Sequence, residues 1–324
     1  MKNQTKAYLA LAFIAIVWGT TYLAIRVAVM QYPAFLMAAV RQATSALIIM
    51  GIGYGMSRKV DLSTQNIKQQ ALVGFLLITL GNGLVSWAEK YVPSGVAALI
   101  CSMMPIVTVI INLTTVKGER INASIIIGML LGFAGIALIF KDDLDKFGST
   151  EYLLGIICVF VATSSWALGS VLNKKRTSKI NPIFNSGMQV AFGGLFLFIL
   201  SPFVDSYDNL VLWQPDAFWS LVYLIIFGSV LAYTAYMYAL KELPVALVST
   251  YAYVNPLVAV ILGYFILSEP LTWFTALAFL SIMIGVFLVN RGYRQQPRVT
   301  EAEVKEVEEE SINSLPANAE MNKS

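Results

Sequence analysis

Residues 92–119 read VPSGVAALICSMMPIVTVIINLTTVKGE, and residues 243–269 read LPVALVSTYAYVNPLVAVILGYFILSE. Each stretch opens on a proline (Pro93, Pro244) and carries a second proline twelve residues on (Pro105, Pro256). Each closes on a glutamate (Glu119, Glu269). Between these marks both are apolar for about the 20 residues that a membrane-spanning helix needs. The correspondence extends outward. Trp18 pairs with Trp166, Pro33 with Pro182 and Gly135 with Gly285, all at separations between 148 and 151 residues. Ordered matches at nearly one offset mark a duplication.

Composition says where such a chain lives. Of 324 residues, 57% are hydrophobic and 13% charged, with a mean hydropathy of +0.70. A soluble domain carries roughly 25% charge. This composition excludes an ordinary soluble enzyme and, lacking a short Gly or Pro period, a collagen-like or disordered chain. A net charge of +3 gives no argument for nucleic acid. There is no histidine, which removes the commonest metal ligand and any Ser/His or Cys/His catalytic pair. Cys101 and Cys158 lie in apolar runs without a CxxC motif and read as packing residues, not as a disulfide or metal site. No Walker or dinucleotide-binding glycine motif occurs, so no cofactor is expected and ATP-driven pumping by this chain alone is excluded.

Ten apolar segments are long enough to span a bilayer: 7–26, 33–54, 69–89, 93–116, 123–140, 152–173, 183–204, 216–238, 244–267 and 271–290. The first is too long for a signal-peptide core. The expected fold is an all-α integral membrane protein of ten transmembrane helices. Five helices per half is an odd number, so the second half enters from the opposite side. Residues 7–140 and 152–290 thus form two inverted five-helix repeats, a plan that recurs in secondary transporters. Residues 291–324 are Glu-rich and read as a disordered acidic tail. With the N-terminus inside, the inner loops hold Arg58, Lys59, Lys68, Lys117, Arg120, Lys174 and Lys179, among others. The outer side has only Arg26, Lys90, Lys141 and Lys146, alongside Asp142, Asp143 and Asp145. This asymmetry places both termini in the cytoplasm.

Polar side chains at membrane depth face the bundle interior or a cavity. The third helix carries Thr79, Asn82, Ser86 and Glu89 on one face; the sixth carries Thr163, Trp166, Ser170 and Asn173 at the same spacing. The eighth shows Ser229, Tyr233 and Tyr236, the ninth Tyr251 and Asn255, the first Trp18 and Thr21. Interhelical hydrogen bonding accounts for isolated Ser and Thr. The candidates for cavity lining are Trp18, Thr21, Arg41, Asn82, Ser86, Trp166, Tyr233, Tyr251 and Asn255. Arg41 is the one basic residue near a helix centre; a ligand anion, Glu89 or freed carbonyls are its alternative partners. Glu89, at the outer end of the third helix, is the candidate proton site or else marks the water interface. Pro105 and Pro256 are expected to kink the fourth and ninth helices near the bilayer centre, beside the cavity. Glu119 and Glu269 read as structural, capping the next helix or pairing with bases. Gly128 and Gly132, with Ser281 and Gly285, form small-residue faces on the fifth and tenth helices; they pack helices within the chain or support a homodimer.

The segments WGTTYLAIRVAV (18–29), GNGLVSWAEKYVPSGVAALI (81–100), SWALGSVL (165–172) and YAYVNPLVAVILGYFILSEPL (251–271) resemble the drug/metabolite transporter superfamily, in the branch with two EamA repeats. The resemblance covers residues 7 to about 290. It implies a ten-helix bundle with a central cavity, helices five and ten at the periphery, and alternating access without ATP. The function expected is a cell-membrane (inner or plasma) secondary transporter that exports a small metabolite, an amino acid or similar neutral or zwitterionic compound. Its partners are that substrate and the bilayer. The alternatives are multidrug efflux of amphipathic compounds and a non-transporting sensor or scaffold.

Overall fold

In hydrocarbon no water satisfies the backbone, so a chain this apolar has helices as its means of crossing, apart from a closed barrel. The computed structural model describes residues 2–115, 122–142, 149–176, 180–208, 210–211 and 213–294. Among these there is no strand. Glu119, Asp143, Asp145 and the tail from residue 295 lie outside the described residues.

The helices are α1 (Lys2–Val29), α2 (Ala34–Met56), α3 (Thr64–Ala88), α4 (Ser94–Cys101 and Met104–Thr115) and α5 (Ala123–Asp142). The second half holds α6 (Thr150–Arg176), α7 (Pro182–Val204), α8 (Pro215–Glu242), α9 (Val245–Val248, Ser249–Tyr253 and Asn255–Leu267) and α10 (Trp273–Arg294). Eight are long and apolar enough to cross a membrane; the apolar stretches Ala123–Gly135 and Asn255–Leu267 are shorter. Large apolar side chains such as Leu47, Leu130, Phe203, Phe265 and Phe287 point outward. In water such a surface would be a liability; against lipid it is the solvated face.

The halves interleave. Helix α2 packs on α7, α5 on α10 and α4 on α9. Helix α1 lies against α8 and α9, as α6 lies against α3 and α4. Each of these pairings of the first half thus has its mate in the second. The α5–α10 seam shows this atom by atom. A Cβ on Gly128 would lie 2.5 Å from the Gly285 carbonyl oxygen, and one on Gly285 would lie 2.5 Å from that of Gly128. Gly135 meets Ala278 and Ile282 in the same way. Ser281 Oγ donates to Leu131 O at 2.7 Å. The small-residue faces thus meet each other inside one chain.

Four of the helices, α3, α4, α8 and α9, depart from regular α-helix. The expected kinks are full breaks: α4 stops at Cys101 and restarts at Met104, and α9 passes through a 3₁₀ turn (Ser249–Tyr253) before Asn255. Pro105 and Pro256 each sit in the first turn of the restarted segment, where the missing N–H is harmless and the fixed φ suits the helix. Both α3 and α8 widen into a π-helix, over Phe75–Gly83 and Leu224–Leu231. Such segments recur at functional sites.

Helix ends are tied across the repeats. Asp205, after α7, accepts from the Phe35 and Leu36 amides at 3.2 and 2.8 Å, capping α2. Glu269 accepts from Ser94 N at 2.9 Å, Ser94 Oγ at 2.8 Å and Gly95 N at 3.3 Å, capping α4. This corrects the expectation that Glu269 caps the next helix: its carboxylate serves a helix of the opposite repeat, next to Ser268 at φ 53°. At the other end, Asn181 accepts from Phe184 N at 3.1 Å while its amide donates to Gly53 O and Ser57 O, both at 2.9 Å. One side chain thereby serves the start of α7 and the end of α2.

Candidate functional site

The two π-helices and the two broken helices face one another across the centre and leave a cavity of about 90 Å³. Its walls include Trp18, Thr21, Tyr22, Arg41, Gln42, Asn82, Cys101, Met104, Thr163, Trp166, Ser229, Tyr233 and Tyr251. The lining is mostly apolar and aromatic with a few placed polar groups, as in small-molecule sites. Seven of the nine lining candidates therefore come together: Trp18, Thr21, Arg41, Asn82, Trp166, Tyr233 and Tyr251.

The other two are buried but turned away. Ser86 Oγ donates to Asn82 O at 2.8 Å within its own helix. The Asn255 amide nitrogen, with the group oriented toward its carbonyl neighbours, donates to Ala15 O at 2.8 Å and Tyr251 O at 3.2 Å. It ties α9 to α1 at the break instead of facing the cavity.

Aromatic contacts form the cavity's base. Trp18 stands edge-on to Trp166 with ring centroids 5.5 Å apart, and to Tyr251 at 4.9 Å. Trp18 Nε1 donates to Gly228 O at 3.0 Å; Trp166 Nε1 donates to Tyr236 OH at 3.1 Å. Tyr251 OH reaches Met104 Sδ at 3.2 Å, which joins the broken points of α9 and α4.

Arg41 is 3% exposed and makes no ion pair with Glu89 among the described residues. Its Nε donates to Ser229 Oγ at 2.8 Å, and its Nη1 has no hydrogen-bond partner. No carboxylate lies within ion-pair distance of it among the described residues. Glu89 does not mark a water interface: it is fully buried at the end of α3, and neither carboxyl oxygen has a hydrogen-bond partner. Arg26 holds its backbone carbonyl, and the charges that act on it are Arg26, Glu269 and Arg41.

Sequence reading missed a buried polar chain. Tyr233 OH donates to Gln189 Oε1 at 2.7 Å. Gln189 Nε2 donates to Gln70 Oε1 at 2.6 Å and to Asn173 Oδ1 at 2.8 Å. Gln70 Nε2 donates to Asn66 Oδ1 at 2.7 Å, and Asn66 Nδ2 to Asn185 Oδ1 at 3.1 Å. The chain links the cavity wall to the start of α3 through four helices, every member buried. Uncharged amides in three apolar segments, Gln70, Asn173, Asn185 and Gln189, were the signal available. Their partnership is a matter of tertiary structure.

The comparisons bear on this arrangement. A model of the EamA-like transporter family matches twice, over residues 5–141 and 153–291. The chain belongs to the EamA-like transporter family. It is 31% identical over 285 residues to YedA of Escherichia coli (strain K12), an uncharacterized inner membrane transporter, covering 87% of this chain and 90% of that one. It is 26% identical over 293 residues to YvbV of Bacillus subtilis (strain 168), an uncharacterized transporter, covering 90% and 94%. One solved structure, titled only as the crystal structure of a protein, matches with a TM-score of 0.64 at 20% identity over 90% of this chain and 99% of its own, a likeness of fold. This EamA protein is accordingly a multi-pass membrane transporter built of two EamA repeats.

Proposed function

We propose that the protein is a secondary exporter of a small metabolite, an amino acid or similar zwitterionic or neutral compound, working by alternating access. The observation that carries this reading is a central cavity walled by mated elements of both repeats: Trp18 with Trp166, the two π-helices, and the two proline breaks. Elements related in this way can exchange roles as one half rocks against the other. The cavity is small beside the roughly 300–1,000 Å³ of ligand pockets. That size fits a closed state whose walls part to load. The polar chain from Tyr233 to Asn66 is the contact that parts on one side, and Pro105 and Pro256 are the pivots.

Glu89 is the candidate proton site, since a carboxyl group buried without a partner changes its surroundings greatly when its charge changes. The loop charges support an inner membrane with both termini in the cytoplasm. A second copy would meet the outer faces of α5 and α10, where Ile126, Leu130, Leu280 and Ile284 are exposed. Their glycine faces are already occupied.

The test is flux from proteoliposomes loaded with a pooled amino-acid and metabolite panel, with and without a pH gradient. Efflux of one chemical class that Trp166→Ala abolishes supports the reading. Efflux restricted to amphipathic cations would favour drug export. No flux from folded protein, with a phenotype lost on deleting 291–324, would favour a scaffold.

A further inference from the structure

Among the described residues, the cavity lining holds one fixed cation and no fixed anion. Arg41 is among the lining residues, and none of the others is Asp or Glu. Arg41 is held in place from one side only. Ser229 takes its Nε, and Gly228 leaves room for the guanidinium: a Cβ at Gly228 would lie 3.1 Å from Nη2 and 3.0 Å from Thr21 Cγ2. The Nη1 end has no partner. A buried guanidinium with free N–H groups is costly until an acceptor arrives. Its planar fork matches a carboxylate through two parallel hydrogen bonds. Asn82 lines the same space and offers a further amide donor. The lining also holds the apolar Ile25, Ile78, Val85 and Trp166 beside the uncharged polar Thr21, Gln42 and Thr163.

Resting on the transporter reading above, we propose that the cavity recognises a small monocarboxylate: Arg41 takes the ligand's carboxylate, the apolar and aromatic walls take its body, and no group reads an ammonium by charge. An amino acid then enters by its carboxylate, and the same acid without its amino group enters as well. A lone amine does not.

The purified full-length protein in nanodiscs is titrated by calorimetry with matched triplets, each one carbon body bearing a carboxylate, an amide or an amine. The bodies are linear, branched and aromatic, of three to ten carbons. The expected result is binding of carboxylates at least tenfold tighter than their amide and amine partners. Arg41→Gln is expected to lose at least tenfold in carboxylate affinity. Arg41→Lys, which keeps the charge without the fork, is expected to fall between. Size-exclusion elution and melting of both variants establish that they fold.

An amine or amide that binds as tightly as its acid, a carboxylate whose affinity Arg41→Gln leaves unchanged, or no binding by any triplet overturns the proposal. The pooled flux assay separates the two readings. Carried compounds that lack a carboxylate end this inference and leave the transporter standing. Absence of all flux from folded protein ends both.

Discussion

The indole N–H of Trp18 donates to the backbone carbonyl of Gly228 at 3.0 Å, inside the π-helical stretch of α8. Its repeat mate repeats the meeting: a Cβ at Gly81, in the π-helix of α3, would lie 2.7 Å from Trp166 Cε3. Each repeat thus places its tryptophan on the widened glycine of the other. A π-helical turn displaces carbonyls from the regular ladder, and Trp18 engages one of them. Trp18→Phe keeps the ring and removes the donor. A buried acceptor left without its donor costs about 1–3 kcal/mol. The expected outcome is a lower melting temperature in detergent together with reduced flux.

Gly128 and Gly285 predict a different failure. With the two backbones in contact, Gly128→Leu forces α5 and α10 apart along their length. Overpacking of this kind costs about 1–3 kcal/mol or more. The expected outcome is loss of monodisperse protein on size exclusion, whereas Ile126→Leu on the outer face leaves the elution unchanged.

Glu269 is expected to act on stability and not on ligand binding. Glu269→Ala leaves the amides at the start of α4 without their acceptor, a loss of about 0.5–2 kcal/mol for a helix cap. Melting of the variant should fall while carboxylate affinity, measured below the melting range, stays within a factor of two.

Much of this was legible in the sequence, and the misses have physical causes. Span count and duplication come from apolar length and from residues such as Trp18, Pro93 and Pro244, whose chemistry does not depend on neighbours. The missing N–H of Pro105 and Pro256 marked both places as kinks, but that each helix breaks outright and restarts at its proline did not follow from it. Nor did the π-helices, because FLLITLGNG and LIIFGSVL carry no local mark that separates them from α-helix. Asn255 and Ser86 share a helical face with cavity residues but turn to nearby carbonyls, a choice that periodicity leaves open. Glu89 read equally as a proton site or as a mark of the water interface, because its burial depends on tertiary packing. Gln70 and Gln189 are 119 residues apart, and only packing of α3 on α7 makes them partners.

That pair gives a prediction of its own. Gln189→Leu keeps the volume but severs Tyr233 from Gln70 and Asn173. The seal on that side is expected to weaken. Cys101, which lines the cavity, serves as reporter in a Cys158→Ser background. Labelling of Cys101 by a water-soluble maleimide is expected to rise severalfold in the variant; unchanged labelling would exclude the chain as a gate.

Glu89→Gln tests proton coupling. The amide nearly preserves shape and cannot release a proton near neutral pH. The expected outcome is loss of the gradient-driven part of efflux, with exchange of substrate at equal pH retained. Gradient-driven efflux that survives the substitution would remove Glu89 from the coupling path.

The caps supplied by Asp205 and Glu269 set the order in which the molecule is finished. Phe35 leaves the ribosome 170 residues before Asp205 exists, and Ser94 leaves 175 residues before Glu269. The first five helices therefore enter the bilayer with the starts of α2 and α4 still open, and the residues that follow α7 and α9 close them. A chain halted after α5 holds every residue of the first repeat and still lacks the two carboxylates that complete it.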